Sequence, residues 1–153
     1  MVSPDYEELF STFNAHKVKY LVVGAHAVAF HAQPRFTKDL DVWVPAELND
    51  PQRIYDALKA YGAPLRGVAA EDFARAGTFL QIGVAPVRVD IMTEVPGLSA
   101  QEAWKQRVKT RYGNVSIYVL GRSDVIKAKQ VSGRPQDKLD LAKLLKRKRS
   151  GYR

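Results

Sequence analysis

The chain contains no cysteine, and this one absence excludes disulfides, thiolate metal sites and cysteine nucleophiles together. Any metal is left to oxygen or imidazole ligands. Also missing is any apolar run approaching the ~20 residues of a bilayer span, and the N-terminus, Met-Val-Ser-Pro-Asp-Tyr-Glu-Glu, is polar and acidic. The expectation is a cytoplasmic protein without a membrane partner. Acidic residues are absent from Lys143 to Arg153, where six basic ones stand (Lys143, Lys146, Arg147, Lys148, Arg149, Arg153), so the rest of the chain carries only +2 of the net +8. Such a stretch either holds a polyanion through salt-sensitive phosphate contacts or is a solvated helix end. Lys105, Arg107, Lys109 and Arg111 form a second cluster that extends the same kind of surface.

Repeats and low-complexity linkers are lacking too, while 46% hydrophobic and 26% charged content is ordinary for a globular core. One domain over 1–147 with a basic tail over 148–153 is expected. Ser3-Pro4 followed by Asp5, Glu7 and Glu8 starts a helix that should run to about His16. Lys19 to Val23 reads as a buried strand ending at Gly24, followed by a short apolar helix from Ala25 to about Ala32 that Gln33-Pro34 breaks. A strand from about Leu40 to Val44 follows, then a helix from Pro51 to Tyr61, capped by Asn49-Asp50 and stopped by Gly62.

Glu71 to Ala74 suggests a helical turn, and Thr78 to Val84 and Val87 to Thr93 suggest two strands joined by a hairpin at Ala85-Pro86. Ser99 to Val108 reads as a helix with a Ser99/Glu102 capping box, and Asn114 to Leu120 as a strand. Helices over Ser123 to Ser132 and Pro135 to about Arg147 close the chain. The pattern is α+β with a small mixed or antiparallel sheet.

Asp39 and Asp41 stand one residue apart in a strand, so their carboxylates share a face while Leu40, Val42 and Val44 point the other way. Two like charges about 4 Å apart at an effective dielectric near 20 repel by about 4 kcal/mol, which a divalent cation would relieve. A third acid, Asp90, faces away from Val87, Val89 and Ile91, together with Arg88 and Met92. If that strand lies beside the first, three carboxylates share one sheet face. Asp39 and Asp41 would then bridge two Mg²⁺ ions, and Asp90 would ligate one of them or take the proton of an attacking oxygen. Gly24 between strand and helix lets backbone approach a phosphate at helix amides.

Gly24-Ala25, then Asp39-Leu40-Asp41, then Asp90 resembles the nucleotidyltransferase superfamily of the DNA polymerase β type. The run from Val23-Gly24-Ala25-His26-Ala27 through His31 to Arg35-Phe36-Thr37-Lys38-Asp39-Leu40-Asp41 is similar to small bacterial AbiEii-toxin-like nucleotidyltransferases. That likeness continues through Ala85 to Thr93, Gly97 to Trp104 and Ile126 to Leu141. Ala25 and Ala32 stand where such proteins carry Gly or Ser and Gly; Ala25 keeps a backbone N–H for a phosphate but has no hydroxyl.

The resemblance implies a polymerase-β-like fold, a small mixed sheet with helices on one face and C-terminal helices, and an Mg²⁺- or Mn²⁺-dependent enzyme that moves an NMP from an NTP to an acceptor. Asp39, Asp41 and Asp90 would be the catalytic metal ligands. Gly24, Ala25, Arg35, Thr37 and Lys129 would bind the NTP. RNA or protein is the implied acceptor, in a toxin–antitoxin or defence setting with a cognate partner. Two other readings stay open: a catalytically weak, antitoxin-like module that binds a nucleotide or partner, and an antibiotic-modifying nucleotidyltransferase.

Several residues have plainer readings. Lys129 is either a phosphate ligand or a solvated helix lysine, and Arg134, Asp137 and Asp140 suit an ion-paired helix start that packs the last two helices. His26 and His31 fit packing positions, Arg88 fits a partner for the acids when metal is absent, and Trp43 and Trp104 fit core or edge positions.

Overall fold

A computed structural model describes residues 2–32, 39–83 and 87–150, with side chains to residue 146. Helix α1 spans Pro4–Ala15, and Ser3 accepts a hydrogen bond from the Tyr6 amide at 3.3 Å, so the sequence cap is the structural one. Strand β1, Leu21–Val23, leads directly into α2, Gly24–His31, and β2 is Asp39–Trp43. In α3, Pro51–Tyr61, Asp50 accepts from Gln52 N at 2.9 Å and Gly62 closes the helix in the left-handed region at φ +97°. A 3-10 turn over Ala70–Ala74 precedes β3, Phe79–Ile82, and β4, Arg88–Met92. The expected connection at Ala85-Pro86 lies outside the described residues.

The last third of the chain differs most from the sequence reading. Helix α4 spans only Ala100–Lys105, and the residues from Val108 to Tyr112 form strand β5, which the sequence reading missed. Its pairing decides this: β5 runs antiparallel to β6, Val115–Val119, from Val108↔Val119 to Tyr112↔Val115. Ser99 still caps α4, accepting from Glu102 N at 3.4 Å. Helix α5 is Arg122–Ser132, and α6, Pro135–Ser150, continues past the expected end near Arg147.

The six strands form one mixed sheet in the order β3-β4-β2-β1-β6-β5. The central strands β2 and β4 are parallel, while β1 is antiparallel to β2 and parallel to β6. Leu40, Val42, Val89 and Ile91 on one side join Leu9, Phe10 and Phe13 of α1 and Ile54 and Leu58 of α3 in the core. Burying each such side chain is worth about 1.5–3 kcal/mol, enough to hold the β2/β4 pair in its register. Because side chains alternate, that register also fixes where Asp39, Asp41 and Asp90 stand. Among the described residues, no helix is long and apolar enough to cross a membrane.

Candidate active site

The parallel register sets Asp39 opposite Arg88 and Asp41 directly opposite Asp90, in neighbouring strands. The adjacency that the sequence left conditional is therefore present, since paired strands lie only about 4.8 Å apart. Arg88 reads both outer acids: its Nε and Nη2 donate to the Asp90 carboxylate at 3.1 and 3.2 Å, and its Nε lies 3.9 Å from Asp39 Oδ1. Arg88 thus takes the part of counter-ion that the sequence suggested.

Asp41 carries the strain of the cluster. Burial first, then the charges of Asp90 and Asp39 and a hydrogen bond shared with Asp90, push its carboxyl up to about 6 from the usual 3.8, and Lys129 only partly offsets this. The backbone closes on the same side chain. Gly24 sits at φ +65°, and a Cβ there would overlap the Asp41 carboxylate, so glycine is required by both conformation and space. Gly24 also opens α2, whose N-cap residue Val23 makes no side-chain hydrogen bond, so the first-turn amides have no side-chain cap. Ala25 follows in that turn, half-buried.

These groups line a cavity of about 680 Å³ between the strand ends and α5. Asp39, Asp41, Asp90, Arg88, Lys129, Arg134 and Asp137 supply its polar part; Phe79, Met92, Val95, Pro96 and Val131 supply an apolar wall. Phe79 and Val131 are 57% and 52% exposed, and nothing in the local sequence marked either as a site residue. Gly97 packs its backbone against the Val131 side chain, where a Cβ would collide with it, tying the 95–97 segment to α5.

Lys129 is brought to the cavity, but already engaged: its Nζ is 3.0 Å from Asp137 Oδ1 and 3.4 Å from Asp140 Oδ2, and both acids are buried. Arg134 Nε donates to Asp137 Oδ2 at 2.9 Å, and Gln136 donates to Asp140 at 2.9 Å. Burial alone would raise the Asp137 carboxyl, yet the donors Arg134, Ser132 and Lys129 hold it well below the usual carboxylate range. The ion-paired start of α6 is therefore the plain reading of Arg134, Asp137 and Asp140, with Lys129 as its fourth member. Arg35 and Thr37 lie outside the described residues.

The histidines are packing residues. His31 Nε2 lies 2.7 Å from Leu120 O, with burial lowering its basicity, and the His26 ring meets Tyr6 edge-on at 6.0 Å. Trp43 is in the core, whereas Trp104 stands at the far edge of the sheet against Tyr118.

Among the described residues, no three His, Asp or Glu side chains are disposed as a ready metal cage. The chemistry of the donors nevertheless fits a hard divalent cation: all are carboxylates, and burial together with the charges of Asp90 and Asp39 raises the Asp41 carboxyl, a cost that a cation would relieve.

The family model for nucleotidyltransferases of unknown function (DUF6036) matches residues 2–148, and the chain belongs to that family. No curated protein matches the sequence. Among solved structures, the Thermotoga maritima protein TM1012, provisionally assigned as a nucleotidyltransferase, superposes with a TM-score of 0.61 at 18% identity, over 95% of this chain and 96% of that one. The lincosamide antibiotic adenylyltransferase LnuA, solved with lincomycin bound, gives 0.57 at 14% identity over 94% and 96%. An antigenic nucleotidyltransferase-like protein from Paracoccidioides brasiliensis gives 0.56 at 12% over 95% and 77%. These likenesses agree with the nucleotidyltransferase fold implied by the family resemblance at Gly24, Asp39, Asp41 and Asp90.

Proposed function

We propose that this nucleotidyltransferase family member moves an NMP from a Mg²⁺-bound NTP to an acceptor hydroxyl, using the cavity at the ends of β2 and β4. The observation that carries the reading is the Asp41↔Asp90 pairing with the Gly24 backbone closed on Asp41. Asp39, Asp41 and Asp90 would hold Mg²⁺ or Mn²⁺, which when bound supplies charge neutralisation at the phosphates. The first-turn amides of α2, from Gly24 and Ala25, orient the phosphate chain, while Arg134 and Lys129 stay paired with Asp137 and Asp140 on the α5 side. The acceptor oxygen attacks the α-phosphorus in line, its proton passes to the Asp90 carboxylate, the α–β bridging bond breaks and pyrophosphate leaves. Positioning and electrostatics do this work, with no covalent intermediate on the protein.

RNA or protein is the acceptor implied by the AbiEii-like resemblance, with a toxin–antitoxin or defence setting and a cognate partner. A second reading has its own observation: the apolar wall of Phe79, Met92, Val95, Pro96 and Val131 suits a small acceptor with an apolar face. Incubation with each α-labelled NTP, Mg²⁺ or Mn²⁺ and either total RNA, cell protein or a small-molecule extract separates these. Label transferred by the wild type and lost in Asp39→Asn and Asp41→Asn supports the enzyme; absence of acid-dependent transfer to any acceptor class refutes it.

A further inference from the structure

At the other end of β1, Lys17, Lys19, Lys109, Asn14, Trp104 and Tyr118 line a second concavity of about 410 Å³. Its floor is fixed, because Asn14 Nδ2 donates to Ser116 O at 2.8 Å while Tyr20 donates to Asn14 Oδ1 at 3.1 Å. The rings are fixed as well: Trp104 and Tyr118 pack with centroids 5.4 Å apart, and the Arg107 guanidinium lies 4.0 Å from the Trp104 centroid and 5.3 Å from that of Tyr118. Lys19 Nζ approaches the same indole at 5.9 Å. Three lysines therefore line one cleft, with Arg107 stacked on its Trp104 and Tyr118 rings, and among the described residues no carboxylate lines it. Among the described residues, none of Lys17, Lys19, Arg107 and Lys109 makes an ion pair with a carboxylate. Lys17 also sits at φ +57°, among the described residues the one non-glycine in the left-handed region, just past the end of α1 where glycine is the usual choice.

We propose that this cleft binds a single strand of nucleic acid, with Lys17, Lys19 and Lys109 on successive phosphates and the Arg107/Trp104/Tyr118 stack as the platform for a base. Unpaired like charges call for a polyanion, and fixed aromatic faces select a polyanion that carries rings. A membrane surface fits less well, because the site is concave and none of the exposed large apolar side chains lines it. Lys19 and Gly24 are five residues apart, so no more than about 18 Å of backbone separates cleft and acid cavity, within reach of one short strand. The proposal deepens the RNA-acceptor reading and rests on it only for the transfer that would follow; binding is measured separately.

The full-length protein carrying Asp39→Asn and Asp41→Asn, so that no transfer intervenes, is titrated against fluorescein-labelled single-stranded RNA of about twelve nucleotides over a salt series. The combined Lys17→Gly, Lys19→Gln and Lys109→Gln protein should lower the slope of log K against log salt by about 2, at about 0.7 per phosphate contact. Lys17→Gly alone should lower it by about 0.7 while raising the melting temperature, an outcome that misfolding does not mimic. DNA of the same length bound with the same lysine dependence also supports the strand site. An unchanged slope in the triple variant overturns the proposal. So does loss confined to a tail variant (Lys146, Arg147 and Lys148 to Gln), or lysine-dependent binding to phosphatidylserine vesicles without binding to RNA. Transfer by the wild type with no strand binding here would refute the cleft and leave the enzyme reading intact; strand binding here with no acid-dependent transfer by the wild type to any acceptor class would do the reverse.

Discussion

The acid cavity and the basic cleft lie at opposite ends of β1 and handle charge in opposite ways. Among the described residues, every cation lining the cavity has a carboxylate partner: Arg88 has Asp90 and Asp39, Lys129 has Asp137 and Asp140, and Arg134 has Asp137. What remains unbalanced there is negative, and it collects on Asp41. In the cleft the cations have no carboxylates at all among the described residues. Among the described residues, one end thus carries an excess of negative charge and the other an excess of positive charge. The contrast also shows that a basic side chain in a pocket is no phosphate ligand by default, since Lys129 is committed to the α5–α6 junction.

The largest test of this contrast is the loss of transfer on neutralising Asp39 or Asp41. A fall of at least about a thousandfold, equivalent to about 4 kcal/mol of barrier, is expected in the labelled-NTP assay; retained transfer breaks the negative half of the comparison. Next comes Lys129→Met, which takes the shared buried cation from Asp137 and Asp140, leaving them Arg134 and Gln136, and should cost about 3 kcal/mol in urea unfolding. A variant that unfolds like the wild type but has a raised KM for NTP would instead make Lys129 a substrate ligand.

Asp41→Asn in EDTA sharpens the electrostatic side. Because the folded carboxyl is raised from 3.8 to about 6, the unfolded chain loses its proton first as pH rises. The wild type's relative stability is therefore full below pH 3.8, is lost as pH climbs through about 6, and is lower by about 3 kcal/mol at most above that. The variant should gain up to that amount at pH 8 and nothing at pH 3.5 in paired urea melts. A gain of equal size at both pH values would show that packing, not charge, separates the two proteins. Gly24→Ala should cost about 1–3 kcal/mol, from the left-handed backbone and the overlap with Asp41, read as a lower urea midpoint. An unshifted midpoint would mean that backbone and acid are not in the close approach described here.

The helix ends were largely readable because their causes are local. Ser3, Asp50 and Gly62 act on the nearest turn, and each does in space what its type predicts in sequence. β5 was not readable: Lys105, Arg107, Lys109 and Arg111 carry no sharp break, and only pairing with β6 makes a strand of the second half. Phe79 and Val131 were missed for a related reason, since the local sequence gives no sign that a strand residue and a helix residue share one cavity. The role of Arg88 was readable, because residues i and i+2 of a strand share a face.

By itself the sequence determined the ingredients: a cysteine-free carboxylate set, the Asp39/Asp41 face with Gly24 upstream, the caps, and the location of the excess positive charge. Those follow from residue type and short-range periodicity, which the chain carries wherever it folds. Only the tertiary structure decided that Asp90 stands opposite Asp41, that Lys129 is ion-paired, and that Lys17, Lys19 and Lys109 meet beside Trp104. Those depend on strand register and helix docking, which are set by burial of a core distributed over the whole chain.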